Sequence, residues 1–106
     1  MPPYKESQPG RNDEQKFIRL NESIITDYPE FTHLNIAKNN GILPDLEKIK
    51  KQNPNQADAG FYLVRNEMIY ILGNSETLGL PISDKAREIT KELFREKSPK
   101  HQINML

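Results

Sequence analysis

Side chains able to do chemistry are sparse in this sequence, and their spacing assembles no reaction centre. The histidines are two, His33 and His101. Neither belongs to an HExxH motif or to an i,i+4 histidine pair, and no aspartate-rich loop bends at a glycine, so no metal site is predicted. Absence of cysteine removes thiol nucleophiles, disulfides, iron–sulfur clusters and thiolate-bound zinc. Gly73 and Gly79 flank Asn74–Leu78 without the Lys-Ser/Thr pair that completes a phosphate-binding loop. No serine has a histidine nearby to activate it. His33 reads as a helix-surface residue, and the carboxylates as solvated ion-pair partners. The expectation is a non-enzymatic protein without catalytic residues, cofactor or metal.

Three short motifs also read as ordinary. Asn21-Glu22-Ser23 fits the glycosylation pattern, but no secretory signal accompanies it. Ser98-Pro99-Lys100 has the form of a phosphate acceptor, though a Ser-Pro pair equally well ends a helix. Asn104-Met105-Leu106 carries a terminal aliphatic carboxylate of the kind that sheet-edge peptide binders capture.

Chemistry of association is more legible than chemistry of catalysis. Gly60-FYLVR-NE-MIYIL-Gly73 reads as two five-residue strands joined by Asn66-Glu67. A two-residue loop pairs Arg65 with Met68, Val64 with Ile69, Leu63 with Tyr70, Tyr62 with Ile71 and Phe61 with Leu72. Opposite residues share a face, so Phe61, Leu63, Tyr70 and Leu72 lie on one side, and Tyr62, Val64, Ile69 and Ile71 on the other. Both faces are apolar, unlike a surface hairpin, which alternates apolar with polar. One face can rest on helices. The other needs cover from Phe17–Leu20, from Leu78–Ile82, from a second copy, or from another protein. Tyr62, Val64, Ile69 and Ile71 are accordingly the candidate partner-binding residues.

Four further elements would have to position this hairpin. Phe17, Leu20 and Ile24 fall at i, i+3, i+7, predicting a helix from about Asp13 to Asp27, although FIRL also suits a short strand. A second helix is expected from Pro29 to Asn39, stopped by Asn39-Asn40-Gly41. Pro44 opens a third, Asp45–Lys51, which Asn53-Pro54-Asn55 ends. The last is Ser83–Lys97, capped by Ser83, with Ala86, Ile89, Leu93 and Phe94 inward and Asp84/Arg87, Glu88/Lys91 and Glu92/Arg95 as outward i,i+3 pairs.

The expected fold is thus α+β: a small, mostly helical domain with one antiparallel β-hairpin. Its order, α-α-α-β-β-α, resembles the architecture of winged-helix domains rather than any one family, and Ala37-x-x-x-Gly41 has the spacing seen at helix-turn-helix bends. That resemblance implies a recognition helix at 44–52 carrying Lys48, Lys50 and Lys51, with the hairpin as a wing and Arg65 near its tip to meet phosphate. DNA binding through these four residues is the alternative function. Charge weakens it: from His33 to Gly73, five basic residues stand against four acidic ones.

Composition sets the outer bounds. The chain has 106 residues, 35% of them hydrophobic, and its 15 basic residues balance its 15 acidic ones. The acids are unevenly spread, with Glu22, Asp27 and Glu30 unopposed by any base between Leu20 and Thr32. No apolar run approaches a membrane span, and the proline-rich start lacks the apolar core of a secretory signal, which predicts a cytoplasmic protein. Residues 1–15 are expected to form a flexible arm, 16–97 a single domain, and 98–106 a flexible tail. A domain of this size is marginal alone, so a protein partner or a homodimer is expected. The leading function is a protein-binding module, such as an adaptor, an inhibitor or a small complex subunit, acting through the apolar surface around the hairpin.

Overall fold

The computed structural model describes residues 14–80 and 83–105. It places a five-stranded mixed sheet between two helical layers, in the order β1 (Gln15–Leu20), β2 (Ser23–Ile25), α1 (His33–Asn39), α2 (Leu43–Gln52), β3 (Ala57–Arg65), β4 (Met68–Leu72), α3 (Asp84–Lys97) and β5 (Gln102–Met105). A 3-10 turn, Pro54–Gln56, leads from α2 into β3. The strands lie in the order β2-β1-β3-β4-β5, all neighbours antiparallel except the parallel pair β4–β5.

This order overturns the winged-helix-like reading. The chain begins on strands, where a helix was expected to about Asp27, because Phe17 and Ile18 serve opposite faces of a central sheet. Phe17 packs with Ile69, Ile71 and Phe94, whereas Ile18 packs with Ile36, Ala37 and Leu46. A strand buried on both sides loses its alternation, and the surviving i, i+3, i+7 spacing then imitates a helix. Asn21, at φ 54, turns β1 back into β2.

The hairpin of β3 and β4 forms with Arg65 opposite Met68 and Phe61 opposite Leu72, the register dictated by its two-residue loop. Asn66 and Glu67 both adopt positive φ, as a type I′ turn demands, despite glutamate in the place glycine favours. It is no projecting wing. The outer edge of β3 pairs with β1, and that of β4 with β5. Strand β5 lies within the segment read as a flexible tail, and Ile103 inserts beside Ile69, Ile71 and Phe94. The expected flexible arm meets the structure only at its end, where Gln15 opens β1, and residues 1–13 lie outside the described residues.

The helices follow their local signals closely. Thr32 caps α1 by accepting from the Asn35 N–H at 3.1 Å, so this helix starts at His33 rather than Pro29. Pro44 sits in the first turn of α2. Ser83 caps α3 by accepting from the Ala86 N–H at 3.1 Å. Helices α1 and α2 cover one face of the sheet, joined by Leu78 from the β4–α3 connection. That connection is fastened there by the Leu34 N–H donating to Thr77 Oγ1 and Lys50 Nζ donating to the Leu78 carbonyl, each at 3.1 Å. Helix α3 covers the other face with Phe94, whose ring meets Phe17 at 5.4 Å and Tyr62 at 5.3 Å. Among the described residues, no helix is long and apolar enough to cross a membrane.

Candidate functional site: a groove beside α3

The sequence-predicted partner surface is largely internal. Ile69 and Ile71 are 3% and 0% exposed, and Tyr62 is half-buried against Phe94. Burial pushes the Tyr62 phenol above its ordinary pKa. Only Val64, 49% exposed, reaches solvent substantially. On this face Ile69 and Ile71 pack under Phe94 of α3, and on the first-named face α1 meets Phe61, to which the His33 ring stands edge-on at 5.2 Å. His33 is therefore no surface residue. It is fully buried, and its Nε2 lies 2.8 Å from the Gly60 carbonyl. A carbonyl only accepts, so Nε2 carries the proton.

The four basic residues of the DNA alternative do not converge. Lys48 and Lys51 are exposed on α2, whereas Lys50 is engaged by the Leu78 carbonyl and lies 3.8 Å from Glu47. Arg65 ends a nine-residue strand whose start adjoins α2, which puts it roughly 26 Å along β3 from Ala57.

The structure instead brings together residues that the sequence left unremarked. Arg19, fully buried on β1, is the centre. Its Nε donates to Thr90 Oγ1 at 2.8 Å, one terminal nitrogen donates to the Asn21 carbonyl at 2.9 Å, and the other donates to the carbonyls of Asn55 at 2.6 Å and Ala86 at 3.2 Å. Burial lowers the Arg19 pKa, Asp58 opposes that shift, and Arg87 adds to it. Asp58, opposite Arg19 across the β1–β3 pair, accepts from Arg87 at 2.8 and 3.0 Å and from Thr90 at 2.8 Å. Arg87 also donates to the Gly73 carbonyl at 2.9 Å. It thus turns inward rather than pairing with Asp84 as expected.

Gly60 makes room for this guanidinium. A Cβ there would stand 2.8 Å from the Gly73 carbonyl oxygen and 3.1 Å from the Arg87 side chain. The only sequence hints were an arginine inside an apolar run, Phe17-Ile18-Arg19-Leu20, and an aspartate among small residues, Ala57-Asp58-Ala59-Gly60. Charges so placed must be paired when buried.

The clamp fixes three pieces of backbone: the β1–β2 turn at Asn21, the 3-10 turn at Asn55 and the first half of α3 at Ala86 and Thr90. Asn21 further donates its N–H to the Gln56 carbonyl at 2.8 Å. Beside the two turns lies a groove of about 450 Å³, lined by Asn21, Glu22 and Gln56 and, on α3 beyond the clamped residues, by Ile89, Glu92, Leu93, Glu96 and Lys97. Its apolar lining is half-buried Ile89 and Leu93, which is 8% exposed. Three glutamates stand against one lysine around it, and Glu92 accepts from Arg95 at 2.6 Å. Among the described residues, no group of three or more His, Asp or Glu side chains is arranged to hold a metal ion. The chain matches no protein-family model and no curated protein.

Proposed function

We propose that the protein is a non-enzymatic protein-binding module whose contact surface is the groove between the β1–β2 turn and α3. The supporting observation is a groove lined by half-buried Ile89, the edge of Leu93 and charged side chains, next to backbone that buried Arg19 bonds at Asn21, Asn55 and Ala86. A preorganised groove of this kind binds without first ordering its own walls. Its volume falls in the range of ligand pockets, while its charged border is closer to the rim of a protein interface. In this reading the contact lies not on the hairpin face that packs under α3 but beside α3 and the β1–β2 turn.

A photo-crosslinking residue at position 97 tests this in native lysate. The expected result is a protein adduct that disappears when Ile89→Asp is added, with the circular dichroism spectrum unchanged. No adduct, or one indifferent to Ile89→Asp, overturns the proposal.

A further inference from the structure

We infer that the outer edge of β5 pairs with the same strand of a second copy, antiparallel and centred on Asn104, so that the sheet continues from one protomer into the other. Strand β5 lies at the far end of the strand order from the β1–β2 turn, so this inference stands apart from the groove.

The backbone supplies the first reason. Gln102 donates its N–H to the Glu67 carbonyl at 3.0 Å, which turns its peptide groups toward β4. These groups alternate sides along a strand, so Asn104 also faces β4, while Ile103 and Met105 aim their N–H and carbonyl groups outward. Among the described residues, no strand lies beyond β5 to receive them. The second reason is what the edge lacks. Gln102–Met105 holds no charged residue and no proline, the usual devices that keep sheet edges apart. The charges of each copy also cancel, so no net repulsion separates two chains. At the opposite edge β2 has only three residues, a short edge of the protected kind.

Symmetry then fixes the register. Outward groups meet only if Ile103 lies opposite the partner's Met105, each exchanging N–H and carbonyl bonds with the other. Ile103 belongs to the cluster with Ile69, Ile71 and Phe94, and half-buried Met105 packs against it, so this pair extends that cluster across the axis. Asn104 falls on the axis, opposite its own counterpart, at a position where Cα atoms approach to about 4.5 Å. Its Nδ2 is shut off from solvent and has no hydrogen-bond partner among the described residues. Rotation about its soft terminal torsion aims that donor at the Oδ1 of the partner's Asn104. Asparagine offers both a donor and an acceptor, so the symmetric pair satisfies itself.

A four-residue edge buries less than a standard interface, so the dimer forms as concentration rises. Sedimentation equilibrium of the full chain, up to the concentration of an NMR sample, is expected to show monomer and dimer. In a mixture of carbon-13-labelled and unlabelled chains, an isotope-filtered Overhauser effect should connect the Asn104 Hα atoms of the two copies. Asn104→Asp is nearly isosteric and sets two carboxylates face to face. At pH 7 it should weaken dimerisation about tenfold or more, with its amide spectrum confirming the fold, yet still pair with wild type. A chain that stays monomeric throughout overturns the inference. So does a dimer that lacks the Asn104 contact, or one that Asn104→Asp forms as readily as wild type.

Discussion

The residues that organise this molecule are charged and buried. Arg19 is wholly enclosed yet bonded to Thr90 and to three backbone carbonyls, and Asp58 collects Arg87 and Thr90. Removing one member leaves a buried charge or several orphaned acceptors, which costs far more than the net worth of an exposed ion pair. Gly60 is the permissive residue of this cluster. Gly60→Ala should destabilise toward the upper end of about 1–3 kcal/mol, because the new methyl meets backbone oxygen rather than a yielding side chain. Urea unfolding checks this as a lowered midpoint at constant slope; an unchanged midpoint would mean that the strand relaxes at no cost. Tyr62 predicts a pH effect. Its phenol titrates near 10.0 when unconstrained and higher in the fold, so the folded state holds that proton more tightly. The associated stability is fully present below about pH 10 and is lost as pH rises through the folded value. Relative to Tyr62→Phe, the wild type should therefore weaken above pH 10, and parallel stability curves across that range would contradict the assignment.

At the scale of elements, legibility tracked local signals. The β3–β4 hairpin is written in two apolar runs around Asn66-Glu67, and α3 in Ser83 and its stripe, because a turn, a cap or a helical face is specified by adjacent residues. Strands β1 and β5 are specified by neighbours remote in sequence, and β2 forms by folding back on β1. Phe17 and Ile18 become strand residues by pairing with Gly60 and Ala59, and Ile103 by lying opposite Ile69. For the same reason the groove was hidden: its walls come from Asn21, Gln56 and Ile89, which share no local motif. Strand β5 carries the clearest consequence. Ile103 is 6% exposed and completes the cluster with Phe17, Ile69, Ile71 and Phe94. Ile103→Ala should cost about 2–5 kcal/mol. Ending the chain after Lys100 should remove amide-exchange protection from the β4 amides that face β5, while those bonded to β3 keep more of theirs. Native-like protection of β4 in that shortened chain would return residues 101–106 to the status of a tail.

At the scale of the whole molecule, one sheet separates two apolar clusters, one beneath α1 and α2 and the other beneath α3. Such a division invites independent melting of the two layers, but the connections oppose it. Phe17 and Ile18 are consecutive in β1 and serve opposite clusters, so neither can leave its site without displacing the backbone that holds the other. Arg19, the next residue, ties the same strand to α3 and to the 3-10 turn that follows α2. His33 bonds the α1 layer to Gly60, the residue opposite Phe17. Opening either face therefore costs contacts on both, the condition for a single cooperative transition. Methyl signals of Ile36 and Ile71, one from each cluster, should vanish at the same urea concentration. Ile36→Ala and Ile71→Ala should each move both signals together, although each substitution opens a cavity on one face only. Earlier loss of the Ile36 signal would instead identify α1 and α2 as a separately folding layer on a sheet that α3 alone can hold.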